Sequence, residues 1–131
     1  MRTVHYATIA VLLMPAYAPA ANVVRPLPRL GMCARSTIKE VTQRLGDRRT
    51  HQAMPNSGSA MVLNNGVLGV SYDQVPALNE SKAGDPVYTC LVKLPRNCPP
   101  GDHRGKIYTT TNLRTENSWT LPDAEHSCGG A

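Results

Sequence analysis

Residues 37–46, TIKEVTQRLG, decide the fold class. Thr37 followed three residues later by Glu40 has the form of a capping box, and Gly46 can take the left-handed conformation that ends a helix. Between them Ile38, Val41 and Leu45 fall on one face at helical spacing. The stretch predicts one short N-terminal helix with an apolar stripe that needs a partner surface.

That surface is expected to be a sheet, because the rest of the chain carries strand signals. Residues 60–64 and 67–72 flank Asn65-Gly66, a pair that tolerates positive φ at both centres of a type I′ turn, so a hairpin is predicted. Residues 87–94 alternate, with Tyr88, Cys90, Val92 and Leu94 on the side expected to be buried. Two further strands, 106–113 and 118–121, are joined by a turn at 114–117. Trp119 and Leu121 point the same way, and Pro122 ends the last strand because it cannot donate to a ladder. The expected architecture is α+β: one short N-terminal helix packed on a twisted antiparallel sheet of about five strands. The alternative is a small all-β barrel with a helical appendage.

Upstream of the helix the chain reads as an address. Residues 1–20 have the pattern of a secretory signal: Arg2, an apolar run at 7–14, then the small-x-small sites Ala16-Tyr17-Ala18 and Ala18-Pro19-Ala20. The run is too short to span a bilayer, so no transmembrane segment is expected in the mature chain. Residues 21–32, with two prolines and two arginines, predict an extended arm, and 33–131 a single domain. Export to the periplasm or beyond makes Cys33, Cys90, Cys98 and Cys128 two disulfides. Of the three pairings possible, Cys90 with Cys98 and Cys33 with Cys128 is preferred, closing one short loop and tying the domain's ends together. A zinc site lacks the C-x-x-C spacing it needs, and neither a metal nor a cofactor is expected.

The 131 residues carry 14 Lys+Arg against 9 Asp+Glu, a formal charge of +5. The excess lies early: 25–49 holds Arg25, Arg29, Arg35, Lys39, Arg44, Arg48 and Arg49 against Glu40 and Asp47. An acidic protein or an anionic envelope polymer is the kind of partner such a charge attracts, whereas nucleic acid would call for a recognised motif or interleaved aromatics, which the sequence lacks. Catalysis has parts without an assembled device. Asp102 with His103 and Asp123 with His126 would make a hydrolase or metal-dependent site if their loops converged. As a binding surface, Arg114 at a hairpin tip and Lys106 are the candidates, and Trp119 is assigned to the core. The expected function is an exported small binding or inhibitor-type module, with the small enzyme and a structural envelope component as alternatives.

The C-terminal half contains three blocks, CPPGD-x-RG-x-x-Y from Cys98 to Tyr108, TNLRT-x-x-SW-x-LPD from Thr111 to Asp123, and a terminal CGGA. In these blocks the chain resembles a family of small exported bacterial proteins. CARSTIKEV and SGSAMVLNNG upstream are similar in position and type. The resemblance implies a periplasmic or secreted bacterial location and carries over no catalytic or binding residue.

Overall fold

The computed structural model describes residues 26–130. The signal segment expected at 1–20 and the start of the arm, 21–25, lie outside the described residues. Six strands follow one another along the chain: β1 (Cys33–Gln43), β2 (Ser59–Leu63), β3 (Leu68–Ser71), β4 (Pro86–Lys93), β5 (Ile107–Asn112) and β6 (Ser118–Pro122). A single helical turn, α1 (Pro76–Asn79), interrupts them. The strands form one sheet in the order β3-β2-β1-β4-β5-β6, antiparallel throughout. It curls until its edge strands β3 and β6 touch without hydrogen bonding, an open half-barrel.

The helix expected over 37–46 does not form, and the α+β architecture built on it is wrong. Residues 37–43 belong to β1, the central strand, which pairs with β4 through Cys33 to Thr37 and with β2 through Ile38 to Gln43. The register shifts between Ile38 and Glu40, so Ile38 opposite Leu63 and Val41 opposite Met61 face the same side although they are three residues apart. A bulge inserts one residue into the period of two, and the result imitates a helical repeat. Thr37, Ile38, Val41 and Thr42 are β-branched, and that preference for the pleated conformation prevails over the capping-box pattern. Leu45 is left exposed, and Gly46 bridges to Ala53. The fold is nearly all sheet, closer to the barrel alternative, but the sheet is not closed, and among the described residues helix is limited to the single turn α1.

The hairpin at Asn65-Gly66 does form, with a different turn. Gly66 donates to Leu63 O at 2.9 Å and Leu63 to Val67 O at 2.8 Å, closing a three-residue loop in which Gly66 (φ 81°) takes the left-handed conformation while Asn65 does not. This is a type I turn ending in a glycine bulge, the usual three-residue solution.

One face of the sheet holds the core. Val87, Thr89 and Leu91 of β4, Tyr108, Thr110 and Asn112 of β5, and Trp119 and Leu121 of β6 are all buried, together with Ile38, Met61, Leu63, Val67 and Leu78. The facing of β4 is the reverse of the one expected: Tyr88, Val92 and Leu94 are exposed, and Val87, Thr89 and Leu91 are inside. Thr89 and Thr110, opposite one another in β4 and β5, share a buried hydroxyl bond of 2.8 Å. From the expected arm, Leu27 packs into the core and Gly31 donates to Leu91 O at 2.8 Å.

Both disulfides are present, with pairings other than those preferred. Cys33 bonds Cys90 and Cys98 bonds Cys128. Because residue 33 opens a strand, it lies directly opposite Cys90 across the β1–β4 ladder, with Cα atoms 4.0 Å apart. Such a bond forms where narrow antiparallel pairs bring side chains together. Cys98–Cys128 ties the 95–105 loop to the C-terminal tail. Two cross-links of this kind belong to an oxidising compartment, and among the described residues no helix is long and apolar enough to cross a membrane.

Candidate binding surface

The acid-histidine pairs do not assemble into one site. Asp102, His103, Lys106 and Asp123 line a common open hollow of about 630 Å³ with Arg104, but both carboxylates are engaged. Asp102 accepts from Arg104 Nη2 at 2.8 Å, Arg104 Nε at 3.0 Å and the Gly129 amide at 3.0 Å, which holds the tail in place. Those donors, the Arg104 guanidinium first, keep its carboxyl far below the usual carboxylate range. Asp123 Oδ1 accepts the amides of Gly105 and Lys106 at 2.7 and 3.0 Å and so shapes the entry to β5. His126 lies elsewhere, its Nε2 3.4 Å from the Tyr72 hydroxyl. There Arg44 stacks 4.2 Å from the Tyr72 ring centre and donates to Glu125 at 3.0 Å, joining the end of β1 to the tail. Among the described residues, no group of three or more His, Cys, Asp or Glu is placed to hold a metal ion.

Arg114, the hairpin-tip candidate, is turned back onto the protein. Its Nε and Nη2 form a fork on the buried carboxylate of Asp85 at 2.6 and 2.7 Å, and Nη2 also donates to Glu80 O at 2.8 Å. Asn112, fully buried, donates to Asp85 and to Ser81, both at 2.9 Å. The network fastens the 80–85 loop beneath the β5–β6 hairpin, and a bidentate pair of this geometry is the strong kind of ion pair. The Arg114 side-chain bond, ahead of the opposing effect of burial, holds the Asp85 carboxyl far below its ordinary value. A carboxyl depressed in the folded state stabilises it above the unfolded pKa, about 3.9, and that contribution disappears as pH falls towards the folded value. The thermal midpoint is therefore expected to stay level above about pH 5 and to decline below about pH 4. Asp85→Asn should start lower at neutral pH and decline less on acidification. Parallel pH profiles for the two proteins would remove Asp85 as the cause.

The outer face of the four-strand half, β1-β4-β5-β6, is exposed and has a defined geometry. Register sets it out in rows. Arg35, Tyr88, Thr111 and Ser118 lie side by side in one, and Cys33, Cys90, Thr109 and Thr120 in the next. Thr111 and Ser118 share a hydroxyl bond of 2.8 Å, as do Thr109 and Thr120. Each pair leaves further hydrogen-bonding capacity directed outward. Tyr88 is 44% exposed in the middle, Arg35 beside it is exposed, and Lys93 and Ile107 begin the adjoining row. No acidic residue occupies an outer position of β4, β5 or β6, or of the part of β1 that pairs with β4, Cys33 to Thr37; Glu40 is exposed farther along β1, where that strand pairs with β2. Of the residues singled out from the sequence, Lys106 flanks this half and Arg114 does not join it. Tyr88 was expected inside because the facing of β4 is the reverse of its strict alternation, and Arg35, counted in the basic excess, was expected ahead of a helix and lies instead in β1 beside Tyr88. No family model, curated protein or solved structure matches the chain.

Proposed function

We propose that the protein is an exported, non-catalytic binding or inhibitor-type module that grips an acidic partner on the outer face of β1-β4-β5-β6. One observation carries this reading: a bare face whose shared rows, Cys33 to Thr37 of β1 with β4, β5 and β6, hold an exposed tyrosine at the centre, cations at Arg35 and Lys93, and no acid. Exposed aromatics and arginines are the usual anchors of an interface, and a single-signed face selects its complement. The two disulfides and the resemblance in the C-terminal blocks support a periplasmic or secreted bacterial setting. The small-hydrolase reading has less support, since His126 sits with Tyr72 and the carboxylates of Asp102 and Asp123 are taken up by backbone amides and Arg104.

The test is retention of the disulfide-bonded protein on immobilised polyglutamate and on neutral dextran at low salt. Retention on the acidic polymer alone is expected, weakening as salt rises and falling about tenfold or more in the double variant Arg35→Glu/Tyr88→Ala with an unchanged melting curve. Equal retention of variant and wild type would overturn the reading. So would turnover in a broad hydrolase screen that is lost in the variant His103→Ala/His126→Ala.

A further inference from the structure

At the end of the sheet where β4 finishes, a second surface has a different character. Residues 29–32 make a tight turn, closed by the Met32 amide donating to Arg29 O at 3.1 Å, with Gly31 at φ 79°. This geometry puts Leu30 on the tip, 59% exposed, next to Arg29. The bond from Gly31 to Leu91 O fixes the turn to β4, and Cys33–Cys90 lies immediately behind it. Val92 and Leu94 are exposed at the end of the neighbouring strand β4 and just past it, and with Leu30, Pro95, Lys93 and Arg96 they line an open hollow of about 640 Å³. A smaller hollow of about 280 Å³ shares Lys93, Leu94, Pro95 and Arg96. Every charged residue lining either hollow is basic. Among the described residues, Arg29, Lys93 and Arg96 form no ion pair.

We propose that this end of the molecule docks on anionic phospholipid, with Leu30, Val92 and Leu94 entering the interface while Arg29, Lys93 and Arg96 lie at the level of the phosphates. The apolar and cationic side chains alternate along the chain, Arg29-Leu30 on one side and Val92-Lys93-Leu94 with Arg96 on the other. This arrangement suits a boundary that is greasy on one side and negatively charged on the other. An acidic protein partner would place its own charges opposite the cations but has no need of a leucine on a protruding turn tip. The turn is held by a strand bond and a disulfide, so the apolar groups are presented without an ordering cost. Three cations and three aliphatic side chains make a reversible contact, attracted by the surface potential and weakened by salt. The inference stands apart from the outer-face reading and shares only Lys93 with it, so Arg35 and Tyr88 test the one and Leu30 and Arg96 the other.

The experiment is cosedimentation of the disulfide-bonded protein with vesicles of phosphatidylcholine, with and without phosphatidylglycerol. It is paired with fluorescence of a Leu30→Trp variant against the constant background of buried Trp119. The expected result is binding only to vesicles containing phosphatidylglycerol, with a blue shift of the new indole. Lys93→Ala/Arg96→Ala should bind about tenfold or more weakly, by the contribution of two cations near a charged surface. Leu30→Ser should lose the binding with its melting curve unchanged, and Tyr88→Ala should bind vesicles as the wild type does. Equal binding to neutral vesicles, or full binding by Lys93→Ala/Arg96→Ala, would overturn the proposal. Absence of vesicle binding, with retention on polyglutamate that Leu30→Ser abolishes, would assign the patch to a protein and overturn it too. Loss of vesicle binding alone leaves the outer-face reading standing, since Arg35 and Tyr88 decide that one.

Discussion

Replacing Cys33 and Cys90 together by serine is expected to lower the thermal midpoint by about 15 °C. The bond closes a loop with a sequence separation of 57. In the chain-entropy account a loop of that length contributes about 4 kcal/mol, and for a domain of this size each kcal/mol moves the midpoint by about 4 °C or somewhat more. Position adds to the argument. The bond crosses the β1–β4 ladder, where the two parts of the sheet meet, so its loss loosens the junction rather than an end. Cys98–Cys128 has a separation of 30 and ties a loop to the tail, so Cys98→Ser/Cys128→Ser should chiefly speed amide exchange at 98–106 and 123–130. Circular dichroism melts under non-reducing conditions decide the matter. A Cys33→Ser/Cys90→Ser protein that melts with the wild type would show that the ladder holds without its cross-link.

Gly58→Ala is the second large effect, expected to destabilise by about 3 kcal/mol or more, through strain and overpacking together. Gly58 has φ 103°, and a Cβ there would lie 2.1 Å from Ser71 O and 2.7 Å from Tyr72 O. Both obstacles are backbone, so neither can swing aside. Gly58 O also accepts from the Arg44 amide and from Gln74 Nε2, so a shift of this residue disturbs the ends of β1 and β3 together. Gly84→Ala is the control, because Gly84 has φ 89° with nothing within 4 Å of its Cβ position. It should cost about 1 kcal/mol for the conformation alone. Urea unfolding of the two variants measures the difference, and equal midpoints would mean that the contact with Ser71 is relieved by a small backbone movement.

The strands after residue 59 were legible in the sequence because alternation, the Asn-Gly pair and the strand-ending Pro122 are local signals. Trp119 and Leu121 do share the buried face. Two bulges concealed the rest. The one between Ile38 and Glu40 turned a strand period into helical spacing and so suggested a helix. The one between Leu91 and Lys93 moved Lys93 to the opposite side from Leu91. Counted at strict alternation, Lys93 falls with Val87, Thr89 and Leu91 and makes that side look exposed, whereas the buried side holds Thr89 with its partner hydroxyl Thr110. A bulge is a property of two chains in register, and one strand's residues do not reveal it. The disulfide pairing followed the same error, because a Cys33 placed before a helix cannot face Cys90 across a ladder. Arg114 looked free at the hairpin tip because its partner, Asp85, is 29 residues away in sequence.

The Thr89–Thr110 bond matters most at the moment of maturation. A β4 threaded two residues out of place against β5 would set the Thr110 hydroxyl opposite Val87 or Leu91, and the same slip against β1 would carry the adjacent Cys90 away from Cys33. In such a chain Cys33 and Cys90 would not meet, so the alignment that satisfies this pair of small polar groups is also the one that the cross-link beside it can lock.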